Sequence, residues 1–212
     1  MSTLRLLVAT SSAHKLAELR ALLALEVTEV VSLADLDISE EAPEDEPTFE
    51  ANALAKARFY AGRSDLSTLA DDSGLEVDAL GGGPGVHTRR YAGPKATDEQ
   101  NNIKLLRALK KIPAEGRGAR YRCVLAFLDP TTAPGGDLSR AIVRLRLGVL
   151  EGRIAEEPRG TGGFGYDPLF EPAAELADGR TMAELTAEEK NEISHRAQAA
   201  RAMGEWLRTR GY

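Results

Sequence analysis

A single cysteine among 212 residues, Cys123, leaves no partner for an internal disulfide. A chain of this length without a disulfide framework implies a reducing compartment, the cytoplasm. Cys123 lies in the apolar run YRCVLAFL and reads as a small buried hydrophobe rather than a nucleophile. Positive charge is in deficit: 27 Lys and Arg face 33 Asp and Glu, a net of −6, which argues against a nucleic-acid-binding surface. That balance still allows a small anion held by a few cations. No apolar run approaches the ~18 residues needed to span a bilayer, so no membrane partner is expected. MSTLRLLVATSS lacks the layout of a signal peptide. Repeats, low-complexity tracts and linkers are also missing, and the length predicts one domain, 1–212.

What is present alternates between two periods. LRLLVA (4–9) reads as a buried strand, and SSAHKLAELRALLAL follows it with leucines at helical spacing and Ser11 or Ser12 as cap. VTEVV (27–31) reads as a strand, ISEEAPEDEP as an acidic loop, and TFEANALAKARFYAG (48–62) as a helix ended by Gly62. STLA and GLEVDAL predict strands on either side of two aspartates, and 96–112 a helix capped by Thr97 or Asp98. RYRCVLAFL (120–128) and AIVRLRLGVL (141–150) predict strands, the second with Val143, Leu145, Leu147 and Val149 on one face and arginines on a wet one. Thr186 with Glu189 fits a capping box, and Ser194 opens a further helix. The order argues an α/β fold around a long mixed β-sheet flanked by helices.

Four stretches carry candidate chemistry. In LADDSGL, Asp71 and Asp72 sit side by side at the edge of a buried run, either as a solvated turn or as a hard oxygen site for a metal ion. One carboxylate from EEAPEDEP beside them would complete a site of the few-ligand kind that Mg²⁺ accepts. TSSAHK places small hydroxyl residues and Lys15 at a helix N-terminus, where backbone N–H groups favour an anion. In FGYDPLF an aromatic side chain can stack on a flat ring while an aspartate three residues on accepts from its edge. Lys190, His195 and Arg196 crowd together in EKNEISHR and could clamp phosphates. GTGGFG (160–165) matches a dinucleotide fingerprint only in letters, because Pro158 and Pro168 flank it where a strand and a helix are required. GGGPG is a tight loop, not a P-loop, since Gly-Lys-Ser/Thr does not follow.

Taken in order, LVATSSAHKLAELRALL, EDEPTFEANALAKA, LADDSGLEVDALGGGPGVHTRRYAG, TDEQNN, RYRCVLAFL, GTGGFGYDPLF and MAELTAEEKNEISHRAQAA resemble the inosine triphosphate pyrophosphatase family (Ham1-like), also called XTP/dITP diphosphatases. The resemblance runs from residue 7 to residue 200. It implies an ITPase/Maf-like fold of two lobes with a central cleft, homodimers, Mg²⁺ dependence, and hydrolysis of ITP, dITP and XTP to the monophosphate and pyrophosphate. It further implies that Asp72 is the catalytic base and a metal ligand, with Glu44 a second ligand. Substrate contacts carry over to Thr10, Ser11, Ser12, Ala13, His14, Lys15, Lys56, Ser73, Phe164, Gly165, Tyr166, Asp167, Lys190, His195 and Arg196. Asp167 and Arg196 would pair with the N1–H and O6 of the base. Two departures stand out: Ala51 replaces a frequent glutamate, and HTRRY stands where S-A-R-Y is usual. A Maf-like pyrophosphatase for pyrimidine or modified nucleotides and a non-catalytic nucleotide-binding protein are the competing readings; the intact Asp72 favours an enzyme.

Overall fold

The computed structural model describes residues 4–212. In chain order its elements are β1 (Leu4–Ala9), α1 (Ala13–Leu23), β2 (Thr28–Ser32), α2 (Phe49–Ser64), β3 (Ser67–Val77), α3 (Asp98–Ala108), β4 (Gly118–Asp129), β5 (Ile142–Ile154), β6 (Phe170–Pro172), α4 (Ala187–Ile193) and α5 (His195–Thr209). The strands form a sheet in the order β2-β1-β3-β4-β5-β6. β1 runs parallel to β2, with Leu6 opposite Val30, and parallel to β3, with Val8 opposite Leu69. β5 and β6 are antiparallel, with Gly152 opposite Pro172. The sheet is therefore mixed and the fold α/β, as the alternation of periods predicts. Among the described residues no helix is long and apolar enough to cross a membrane.

The chain groups into two compact units, Met1–Asp72 with Cys123–Leu147 and Arg196–Tyr212, and Ser73–Arg122 with Gly148–His195. Each has its own core. In the first unit, Leu6, Val8, Leu69, Leu125 and Phe127 from the strands pack with Leu19 and Leu23 of α1 and Met203 and Leu207 of α5. Gly204 allows α5 to close on α1, because a Cβ there would lie 2.4 Å from Leu23 O. Arg208 Nη1 donates to the same carbonyl at 3.1 Å and so satisfies the end of α1. In the second unit, Leu75, Val77, Tyr121, Leu150 and Ile154 pack with Leu105 and Leu109 of the α3 region and with Tyr166, Leu169 and Phe170.

Four boundaries differ from the sequence expectation. α2 continues past Gly62 to Ser64 and is closed by Asp65 in the left-handed region at φ 53°. Gly62 serves a close approach instead, since its Cβ would meet Leu138 Cδ1 at 3.3 Å. The two aspartates do not separate two strands; they lie inside the uninterrupted β3. α3 stops at Ala108, where buried Arg117 donates to the carbonyls of Leu109 (3.1 Å) and Ile112 (2.9 Å) that would otherwise call for another turn. β5 runs on to Ile154, and the apolar face expected to be covered carries Leu145 and Leu147 at 38% and 50% exposure.

Candidate active site

The first unit assembles its polar cluster from four elements. Ser12 caps α1, its hydroxyl accepting from Lys15 N at 3.4 Å, while Thr10 Oγ1 accepts from Ser12 N at 3.2 Å. These hydroxyls therefore shape the loop, and Ser11, Ala13 and His14 lie exposed around it. α1 directs Lys15 towards β3, where its ammonium lies 3.1 Å from Asp71 Oδ1. Arg196, at the start of α5, sits on the other Asp71 oxygen with Nε 3.7 Å from Oδ2, and its Nη1 donates to Glu18 Oε2 at 2.5 Å. Arg196 is 2% exposed, so these are desolvated charges.

Asp72 turns to different partners, as successive side chains of a strand must. The Lys56 ammonium of α2 donates to Asp72 Oδ1 at 2.8 Å and to Glu44 Oε1 at 3.0 Å. Glu44 is held in place by a stripe that the sequence reading missed. Asn52, Lys56 and Tyr60 recur every four residues on one face of the alanine-rich α2. Asn52 Oδ1 accepts from Glu46 N at 3.0 Å and its Nδ2 donates to Glu46 O at 3.2 Å. Tyr60 Oη accepts from Ala42 N at 3.1 Å and donates to Glu40 O at 3.2 Å. The acidic loop is thus tied to α2 on both sides of Glu44.

The charges respond to this setting. Burial would lower Lys56, yet the carboxylates of Asp72, Asp71 and Glu44 outweigh it and hold the ammonium above its ordinary value. Burial also opposes ionisation of Asp71, but Lys15 and Arg196 hold that carboxyl well below the usual carboxylate range. Asp72 moves the other way: burial raises it more than Lys56 pulls it down. Adjacent acids in one strand are therefore driven apart, Asp71 as a fixed counter-ion and Asp72 as a group able to hold a proton. Asp72 Oδ2 is buried and accepts no hydrogen bond among the described residues. Cys123, buried in β4, is inert: burial pushes its thiol up to about 12.

The second unit gathers Phe164, Asp167 and Lys190. Asp167 is 4% exposed and accepts three hydrogen bonds, from Tyr121 Oη at 3.2 Å, Phe164 N at 3.0 Å and Lys190 Nζ at 2.9 Å. A carboxylate has about four acceptor directions, so one remains. The Lys190 ammonium also lies 4.6 Å from the centroid of the Phe164 ring. His195 stacks on Tyr121 at 4.8 Å and 13°. Tyr166 is buried and donates from its hydroxyl to Thr88 O at 2.9 Å. Gly163, at φ 71°, is required here, because a Cβ would lie 2.1 Å from Asp167 Oδ2. Gly165 and Ser73 are half-buried.

Of the residues read from sequence, the structure brings Lys15, Glu44, Lys56, Asp72 and Arg196 into the first unit and Phe164, Asp167, Lys190 and His195 into the second. Glu18, Asn52, Tyr60 and Tyr121 are the positioning side chains that the reading passed over. A separate hollow of about 430 Å³, walled by Phe127, Trp206 and Tyr212, contains none of the candidate residues.

The site is that of an α/β protein with a strand-borne carboxylate beside lysines, a set whose cations can offset the charge of a phosphate. Comparison with known proteins narrows the reading. The chain belongs to the Ham1 family, matching it over residues 6–206. It is 45% identical over 204 residues to the dITP/XTP pyrophosphatase of Methylococcus capsulatus, covering 96% of each chain. It is 46% identical over 207 residues to that of Geobacter sulfurreducens, covering 98% of each. Its fold matches the structure of a HAM1 protein from Coxiella burnetii with a TM-score of 0.85 and 38% identity, covering 97% of this chain and 99% of that one.

Proposed function

We propose that this chain hydrolyses deaminated purine nucleoside triphosphates (ITP, dITP and XTP) to the monophosphate and pyrophosphate, clearing them from the nucleotide pool. The dITP/XTP pyrophosphatase name of full-length relatives supports the reaction. The observation that carries it onto these residues is Asp72, with one oxygen on Lys56 and the other buried without a hydrogen bond among the described residues.

Asp72 Oδ2 accepts a proton from water as the water oxygen bonds to the α-phosphorus. The P–O bond to the β-phosphate breaks, and pyrophosphate leaves. Lys15 and Lys56 offset the phosphate charge, and Asp71 keeps Lys15 oriented. Asp72 and Glu44 are the residues that would hold Mg²⁺. Among the described residues no group of three or more His, Cys, Asp or Glu side chains is arranged for a metal. Mg²⁺ takes one or two protein carboxylates, here those of Asp72 and Glu44, and would fill its shell with water and phosphate oxygens. When bound, the ion supplies charge neutralisation and a more acidic water.

Phe164 offers a stacking face, and the remaining acceptor direction of Asp167 suits the N1–H of hypoxanthine or xanthine. Adenine presents an acceptor at N1 and would oppose the carboxylate. Sites that pair with a substrate N–H reject analogues lacking it by about 10⁴-fold. A lone buried cysteine fits a cytoplasmic setting, and exposed Leu145 and Leu147 provide apolar side chains for a homodimer, which sedimentation checks.

Product analysis with ITP, XTP, GTP, ATP and dTTP, with Mg²⁺ and with EDTA, tests the whole reading. IMP and pyrophosphate from ITP, little product from ATP and none in EDTA is the expected result. Orthophosphate in place of pyrophosphate would move the attack to another phosphorus, and preference for dTTP would favour the Maf-like alternative.

A further inference from the structure

The first turns of α3 hold a loop as well as their own end. Thr97 and Gln100 cap the helix reciprocally, Thr97 Oγ1 accepting from Gln100 N at 3.2 Å and Gln100 Oε1 from Thr97 N at 2.9 Å. Asp98 and Asn102 take no part in that cap, and their four-residue spacing puts them on one helix face. Both reach a single residue in the Phe164 loop. Asp98 Oδ2 accepts from Gly165 N at 2.7 Å, and Asn102 Nδ2 donates to Gly165 O at 3.0 Å. On its other side Phe164 is fixed by its own N–H, which donates to Asp167 Oδ2 at 3.0 Å.

Such fixing has a purpose in this loop. Phe164 lies between Gly163 at φ 71° and Gly165 at φ 63°. Glycines on both sides give the backbone wide freedom, which binding would otherwise have to freeze. Asn102 also keeps Oδ1 buried without a hydrogen bond among the described residues.

We propose that Asp98 and Asn102 are positioning residues that hold the Phe164 ring ready to stack on the purine, and so set affinity and base discrimination. The proposal rests on the assignment of Phe164 to the base made above. It is tested by ITP kinetics of Asp98→Ala, Asp98→Asn, Asn102→Ala, Phe164→Ala and the Asn102→Ala/Phe164→Ala pair, with amide hydrogen exchange at Gly165. Asn102→Ala and Asp98→Ala should raise KM for ITP about fivefold to tenfold, the factor one lost hydrogen bond carries, with kcat held within about twofold. Asp98→Asn retains an acceptor oxygen and should restore a KM near that of the parent. Asn102→Ala should add less than about twofold once Phe164 is already alanine, the non-additivity expected of coupled residues. Exchange at the Gly165 amide should accelerate in both alanine variants. Unchanged KM, a loss confined to kcat, full additivity with Phe164→Ala, or unaltered exchange would overturn the proposal. A parent enzyme inert towards ITP would instead overturn the base assignment, and the exchange measurement would still decide whether the clamp exists.

Discussion

The Lys56 ammonium donates to Asp72 Oδ1 at 2.8 Å, and Oδ2 accepts no hydrogen bond among the described residues. Asp72→Asn can keep an oxygen on Lys56 but removes the charge and, in the proposed reaction, the base. Turnover of ITP should fall by about 10³-fold or more, within the range that general-base and charge-stabilising groups supply, while ITP binding by calorimetry persists. A variant with parental kcat would remove Asp72 from the chemistry.

Asp71 has the opposite character. Its carboxylate is 2% exposed and is the counter-ion of Lys15 and Arg196. Asp71→Asn should destabilise the fold by about 3 kcal/mol, because breaking a buried pair leaves uncompensated charge. Urea denaturation measures it, and a loss under about 1 kcal/mol, the scale of a surface pair, would mean that water reaches these cations.

Gly163→Ala should strike Asp167 directly. The new methyl would lie 2.1 Å from Asp167 Oδ2, and the backbone there is left-handed. Strain of about 1–3 kcal/mol is expected, relieved by moving Asp167 off Lys190. The ratio of ITP to ATP turnover should narrow by about tenfold or more if, as proposed, Asp167 pairs with the base. An unaltered ratio would show that Asp167 does not read the base.

Cys123 gives a pH test. Burial, added to by the nearby Asp71 and Asp72 carboxylates, pushes the folded thiol up to about 12 from an ordinary value of 9.0. The folded state thus keeps a proton that the unfolded chain loses. The corresponding stability is complete below pH 9 and is lost as pH rises towards 12. The urea midpoint should fall above pH 9, and less steeply in Cys123→Ala. Iodoacetamide should leave the native thiol unlabelled at neutral pH.

The fold was largely legible because each element has a local cause. Ser12, Thr48, Thr97 and Thr186 cap the helices they precede, and strand cores such as Leu6 to Val8 are continuous apolar runs. The misreadings share a cause as well. An Asp-Asp-Ser-Gly step reads as a turn only while its charges are taken to need water, and here lysines and an arginine replace that water from elements distant in sequence. Gly62 serves close packing, which composition does not distinguish from a helix end. The stripe of Asn52, Lys56 and Tyr60 was visible as spacing. Its meaning depends on the acidic loop coming to lie against it, a long-range contact that no window of sequence contains.

The division of labour in β3 depends on parity. Asp71 and Asp72 differ only in which side of the pleat each occupies, and each side carries its own set of cations. Inserting or deleting one residue ahead of them would leave the letters ADDSGL intact yet exchange the faces. Each aspartate would then face the other's cations, displaced from them by one residue, about 3.3 Å, along the strand. For this strand, counting residues matters as much as keeping them.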